Sequence, residues 1–329
     1  MLTLNPKTVN PQLDATTRAA YLQVVFNHQD VIASSLADLV EPARVEPCVI
    51  RTIGSPVYLP PIRLSDVHLQ FMRKEVGEMV AHGLVTVGNG PWAAPAFAVP
   101  KPRSTKLRLV VNYKGTNSQT VRDSTPLPRV DDIVRIVGKH KKFFKLDLKS
   151  GFWQVPMHPD SIPVTGFCTP DGLYQWQRMP MGIRNGPPHF QRCMNKVLLE
   201  SGMQTEAGIF IDDLGGSGKT HLHAASNLDK LMSTLEDKHV LVGVDKLGLG
   251  EDSLAFLGYL LVEGELHCDP AKTACIQKLV PPETRSHLRA FLGLTGYYRH
   301  FIKGFAAVAR PLYALLKESA TWNWGTEEQ

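Results

Sequence analysis

The sequence predicts an α+β chain, one antiparallel sheet backed by helices and followed by a helical module. Period-two alternation in LRLVVNY (107–113) and FFKLDLKS (143–150) marks strands, and the later segments follow in the order strand, helix, hairpin, helix, strand. The last 60 residues, by contrast, carry helical spacing throughout. At about 150 residues per domain, 329 residues make about two domains, long enough to bury a core without disulfides. With 43% hydrophobic, 20% charged and 8% aromatic residues, the composition is that of an ordinary globular chain, not a disordered or collagenous one. No apolar run approaches the ~18 residues of a membrane-spanning helix. The first residues lack a secretory pattern, so the expected place is intracellular, cytoplasmic (in particles) or nuclear. Cys48, Cys168, Cys193, Cys268 and Cys275 are scattered without a C-x-x-C pair and read as free thiols, buried by default.

Residues 1–55, rich in Pro, Val and Ala, read as a linker with one short helix near Thr16–Phe26. Ser65 then suits an N-cap, Val67, Phe71, Met72, Val76, Met79 and Val80 follow helical spacing, and Gly83 suits the C′ position. In 107–113, Leu107, Leu109, Val111 and Tyr113 share one face and Arg108, Val110 and Asn112 the other. In 143–150 the same rule turns Phe144, Leu146 and Leu148 inward and puts Lys145 and Asp147 together on the opposite face.

GLYQWQRM has strand character. A helix follows with Phe190, Met194, Val197 and Leu198 in register and Pro187 or Pro188 in its first turn. GIFIDDLGG reads as a strand and a tight turn allowed by its glycines, and the next helix carries Leu222, Leu228, Leu231 and Leu235. LAFLGYLL and ELHC read as strands. Thr284–Ile302 and FAAVARPLYALLK read as helices, the second weakened at Pro311.

Charge is uneven. The net charge is +5, yet residues 101–149 hold 13 Lys and Arg against 4 Asp and Glu, which leaves a net of −4 for the rest. A solvated face is the ordinary explanation of such a run. Here the cations alternate with β-formers and sit beside aromatics in KHKKFFKLD, a pattern suited to phosphates and bases.

Asp212 and Asp213 end an apolar strand, where two carboxylates cannot sit comfortably without a counter-charge; Asp131-Asp132, at a polar helix start, reads as a chance pair. Hard oxygens on a strand edge suit Mg²⁺, and Asp147 would make a third ligand. Two metals ~3.5–4 Å apart on such a set can activate a 3′-hydroxyl and stabilise departing pyrophosphate. The competing GGSGKT would be a P-loop, but its first required glycine falls on Asp213, whose carboxylate would repel the phosphates.

In this order and at family-like spacing, SPVYLPPIRLS, NGPWAAPAFAVPKP, LRLVVNYKGTN, FFKLDLKSGFWQVPM, MPMGIRNGPPHFQRCMN, FIDDL, AFLGY and FLGLTGYYRHFIKGFAAVARPLYALLK resemble the reverse transcriptases of gypsy-type LTR retroelements. The resemblance covers nearly the whole chain. It implies a right-hand polymerase with fingers at 56–122, a palm at 123–262 with a returning fingers segment near 155–185, and a thumb with the start of a connection at 263–329, RNase H being absent. The implied activity is RNA-directed DNA polymerisation, extending a primer on an RNA or DNA template from dNTPs with two Mg²⁺ ions or Mn²⁺. RNase H, integrase and protease are the implied neighbours in a polyprotein, and no membrane is involved.

Carried over residue by residue, the resemblance makes Asp147, Asp212 and Asp213 the metal ligands. Lys101 and Arg108 would grip the triphosphate, Phe152 would exclude a 2′-hydroxyl, Met181-Gly182 would cover the base, and Lys246 would stand near the pyrophosphate. Leu257, Gly258 and Tyr259 would position the primer end. Five positions depart from the family: Asn112 and Lys114 replace the usual Asp and Arg, Gly186 the usual Ala, and Gly215-Gly216 bulky strand residues. Interior strand glycines cost about 0.5–1 kcal/mol each. The alternative reading is therefore a retroelement relic that folds and binds nucleic acid without polymerising.

Overall fold

Asp14 starts the first helix, α1 (Ala15–Asn27), by accepting a hydrogen bond from the Thr17 amide at 2.9 Å. A computed structural model describes residues 8–102 and 104–326; Arg103, one cation of the basic segment, lies outside the described residues. The chain divides into two compact units, Met1–Asp252 and Ser253–Gln329. Within the first, the segment expected to be a linker is core. Val9, Tyr21, Val31, Ile32, Leu39, Cys48 and Ile50 are buried in the main apolar cluster. Strand β1 (Ile32–Ala33) pairs in parallel with Val242–Gly243, and both ring nitrogens of His28 meet carboxylates, Glu236 at 2.7 Å and Asp229 at 3.1 Å. These anchors lie more than 200 residues away in sequence, which hides them from local pattern.

Helix α2 (Asp66–Ala81) follows the predicted residues and ends as Gly83 predicts, at φ +67°. The Leu84 amide donates to Met79 O and the Gly83 amide to Val80 O, a Schellman closure. Met72, Val76 and Met79 are buried, whereas Val67 and Val80, expected on the same face, are exposed. Next come β2 (Val85–Val87), β3 (Ala94–Pro100), β4 (Leu107–Val111), α3 (Lys114–Gln119), α4 (Val130–Val137), β5 (Lys142–Asp147), α5 (Gly151–Gln154), β6 (Phe167–Thr169) and β7 (Gly172–Trp176). One sheet runs in the order β2-β7-β6-β3-β4 and brings the basic hairpin β3–β4 to its edge.

Helix α6 (Gly186–Glu200) carries its prolines in the first turn and buries Phe190, Met194, Val197 and Leu198 as expected. Then follow β8 (Ala207–Phe210), β9 (Asp213–Gly218), α7 (His221–Asp237), β10 (Val242–Gly243) and β11 (Gly248–Glu251). The second sheet, β11-β5-β9-β8, is antiparallel throughout, with α4, α6 and α7 packed against it. Its central strand β5 is covered on both sides, for Phe143 and Phe144 are both fully buried. On α7, Leu228, Leu231 and Leu235 are buried but Leu222 is exposed.

Gly215 and Gly216 do not make the turn; they lie within β9. Gly216 stands opposite Phe144 across the ladder, and a Cβ there would fall 2.2 Å from the Phe144 ring. The ring occupies the volume that a side chain at 216 would need. The softening expected of a bare glycine strand is thus offset by packing from its neighbour.

In the second unit, β12 (Ser253–Phe256), β13 (Tyr259–Val262) and β14 (Glu265–Cys268) form an antiparallel meander. LAFLGYLL is therefore a hairpin, not one strand, with Leu257 and Gly258 at φ +49° and +81° forming its two-residue turn. Helices α8 (Pro270–Gln277), α9 (Arg285–Tyr297), α10 (Phe305–Val308) and α11 (Arg310–Leu315) follow. Thr284 caps α9, Pro311 opens α11 instead of kinking a longer helix, and Leu288, Leu292, Ala309 and Leu315 form the buried cluster of these helices.

Gly216→Ala is expected to cost about 1–3 kcal/mol in urea denaturation, the range for overpacking. Combined with Phe144→Leu, the loss should be smaller than the sum of the two single losses, because one substitution vacates the space that the other fills.

Candidate active site

Antiparallel register assembles the acidic cluster. Asp147, the last residue of β5, pairs with Asp213, the first of β9. Ile211 and Asp212 form the two-residue turn joining β8 to β9, and the Leu148 amide donates to Asp212 O at 3.1 Å. Two adjacent carboxylates and a third some 65 residues earlier thus share one end of a buried sheet.

The turn is strained. Ile211 is a β-branched residue at φ +54°, a conformation such side chains rarely adopt. Gln191, buried on α6, holds it: its Oε1 accepts from the Ile211 amide at 2.8 Å and its Nε2 donates to Ile209 O at 2.9 Å. Sequence reasoning passed over Gln191; the available signal was a polar side chain directly beside the apolar stripe of α6.

Asp212 Oδ1 is buried without a hydrogen-bond partner among the described residues. Gly151 makes room for it, because a Cβ at 151 would lie 2.3 Å from that oxygen and 2.8 Å from the Phe190 ring. Burial first, and then the charges of Asp147 and Asp213, push the Asp212 carboxyl up to about 6, with Lys246 opposing.

Two lysines balance the other carboxylates. Lys246 Nζ lies 2.9 Å from Asp147 Oδ1, so the residue singled out for the pyrophosphate is exposed but paired with the cluster. Lys145 Nζ lies 3.2 Å from Asp213 Oδ1; its shared face with Asp147 was legible, its partner was not. Among the described residues, no three His, Cys, Asp or Glu side chains are gathered closely enough to hold a metal ion in this arrangement. The donor set nevertheless fits one: hard oxygens, mutual repulsion and one buried oxygen left unpaired.

Phe152, on α5, is buried, with its ring 5.1 Å from that of Phe190, the same ring that confines Gly151. Arg108, Met181 and Gly182 line one cavity of about 240 Å³ together with Trp153 and Trp176. Lys101, just past β3, is exposed; its amide donates to Lys106 O at 2.8 Å and closes the β3–β4 hairpin. Leu257, Gly258 and Tyr259 belong to the second unit.

Several cations of the basic segment serve the fold. Lys142 pairs with Asp252, Arg129 with Asp131, and Lys149 Nζ donates to Ser34 O at 2.7 Å. Lys141 is exposed. The thiols conform to expectation at Cys48, Cys168 and Cys193, which are buried, while Cys268 is half-buried and Cys275 exposed. Burial pushes Cys48 up to about 12 and Cys193 to about 11, so neither is a nucleophile at neutral pH.

Residues 99–261, which contain all three aspartates, match the family described as reverse transcriptase (RNA-dependent DNA polymerase). The retrovirus-related Pol polyprotein from transposon 297 of Drosophila melanogaster is 33% identical over 271 residues, 81% of this chain and 26% of its own length. That from transposon gypsy is 31% identical over 274 residues, again 26% of its length. The chain belongs to the gypsy-type reverse transcriptases. It spans about a quarter of these curated relatives. The foamy viral protease-reverse transcriptase in complex with double-stranded DNA superimposes on this reverse transcriptase chain with a TM-score of 0.86 at 20% identity, over 96% of this chain and 56% of that one. The fold is that of a right-hand polymerase. Among the described residues, no helix is long and apolar enough to cross a membrane.

Because Asp212 holds its proton up to about pH 6 when folded, against about 4 for an unperturbed Asp, its ionisation draws stability down as pH rises through that window. Asp212→Asn is therefore expected to stabilise the metal-free protein at pH 7 by about 1–2 kcal/mol and to flatten the stability slope between about pH 4 and 6. Urea denaturation across pH, with chelator present, measures both.

Proposed function

We propose that this chain copies an RNA or DNA template by extending a primer 3′-end with dNTPs. The observation that carries the reading is the register that sets Asp147 against Asp213 beside the buried, unpaired oxygen of Asp212. Reverse transcriptases are in general dependent on divalent metal. Asp147, Asp212 and Asp213 would hold two Mg²⁺ ions, or Mn²⁺ in their place, and the metals would supply activation of the 3′-hydroxyl and charge stabilisation of the pyrophosphate.

The remaining roles belong to side chains. Lys246, which pairs with Asp147 at the cluster, would be released on metal binding and would neutralise the leaving pyrophosphate. Arg108 can bind triphosphate oxygens bidentately, with Lys101 as a point charge beside them. Met181-Gly182 would lie over the base, Phe152 under the sugar, and the Leu257–Tyr259 hairpin at the primer end. The partition proposed with this reading is fingers at 56–122, palm at 123–262 with a returning fingers segment near 155–185, and thumb with the start of a connection at 263–329, in a polyprotein acting in cytoplasmic particles or the nucleus.

The Phe144 ring packed over Gly216 counts against the relic reading, since it restores the packing that this glycine removes. Extension of a primed RNA template with Mg²⁺ and dNTPs decides between the two. Asp147→Asn is expected to reduce extension to background while duplex binding stays near the wild-type value, because it removes a ligand and no phosphate contact. Wild-type protein that binds the duplex and never extends it would establish the relic instead.

A second outcome concerns sugar choice. If Phe152 fills the space of a 2′-hydroxyl, Phe152→Val should raise the ratio of ribonucleotide to deoxynucleotide efficiency by about ten- to a hundredfold, the worth of about 1–3 kcal/mol of overpacking. Phe152→Tyr should leave the ratio nearly unchanged. Were Phe152 only core, the valine variant would lose stability and both activities together.

A further inference from the structure

The two-residue turn at Leu257-Gly258 has an unusual support. Both residues are left-handed, at φ +49° and +81°, a cost that leucine bears without the freedom of glycine. Each turn carbonyl is taken by a tyrosine hydroxyl. Tyr297 Oη donates to Leu257 O, and Tyr298 Oη donates to Gly258 O at 3.0 Å. The two neighbours sit at the end of α9, Tyr297 as its last residue and Tyr298 as its C-cap, with their rings 5.0 Å apart and nearly perpendicular.

The rest of the contact set converges on the same turn. Tyr259, the first residue after it, lies 5.2 Å from the Tyr297 ring and meets Tyr298 edge-on at 6.1 Å. Its own hydroxyl donates to Tyr297 O at 3.4 Å. A Cβ at Gly258 would meet Tyr297 Oη at 3.4 Å and Tyr298 Oη at 3.6 Å, ordinary van der Waals contact, so the positive φ and not a clash is what favours glycine beside the two hydroxyls. Ring packing alone would be satisfied by phenylalanine at both positions; the hydroxyls act on the turn.

We propose that Tyr297 and Tyr298 are positioning residues whose hydroxyls fix the Leu257–Gly258 turn in the shape that a primer 3′-end meets. The proposal rests on the reading of that turn as the primer contact. The two hydrogen bonds tie the turn to α9, so the shape offered to the primer is set by the helix that follows and not by the hairpin alone.

The full chain carrying Tyr297→Phe, Tyr298→Phe or both tests this. In the double variant, amides 257–259 should exchange hydrogen about tenfold faster, and the KM for primed template should rise about tenfold, in keeping with the loss of two hydrogen bonds. Both kcat and the melting temperature should change far less. Unchanged exchange overturns the proposal, and so does faster exchange with an unchanged KM. Gly258→Ala checks the premise separately: a wild-type KM in that variant would show that the turn does not meet the primer, whatever the tyrosines do.

Discussion

Like charge at the end of a buried ladder is the constraint around which the larger unit is arranged. Closing β5 against β9 brings Asp147 to Asp213, and the turn adds Asp212 in a site with little water to screen it. Asp212 is the poorly screened member, so its burial first and the neighbouring charges of Asp147 and Asp213 second make its ionised form unfavourable there. The surroundings answer in kind: Lys145 and Lys246 supply positive charge, and Gly151 yields space to an oxygen with no partner. Gln191 holds the strained turn from behind. A sheet end that is unfavourable for folding is a place prepared for cations, so the local instability and the proposed chemistry have one origin.

Where a side chain's role depends on its own strand or helix, sequence revealed it. The period-two rule set Lys145 and Asp147 on one face, and the helix rule placed Gly83, Thr284 and the buried leucines of α7. What escaped depends on contacts across long stretches of chain. The segment before residue 55 looked like a linker because it is rich in Pro, Val and Ala with one short helical stretch, yet Tyr21 and Leu39 are fully buried and His28 is clasped by two carboxylates of α7. Val67, Val80 and Leu222 failed for the opposite reason: periodicity says which residues share a face, not how wide the covered part of that face is.

The acidic site was legible as residue types and illegible as electrostatics. No spacing rule joins residues 147 and 212; the motif resemblance paired them, and the ladder supplied the reason. The lysines show the limit most clearly. Lys246 was singled out but given no partner, Lys145 had a face but no task, and both proved to be the nearest counter-charges to the aspartates. A basic segment that reads as one surface is likewise divided, with Lys142, Lys145 and Lys149 engaged by the fold and Lys141 turned to solvent.

The ring of Phe144 over Gly216 has a meaning beyond this one chain. Across an antiparallel ladder the two positions share a single volume, here given wholly to residue 144. In a relative with a bulky side chain at 216, residue 144 has to be small, and an intermediate with both large or both small would be overfilled or hollow. Residue 216 can therefore be judged only together with residue 144, and the glycine that looks like decay when taken alone is here the vacant half of a filled site.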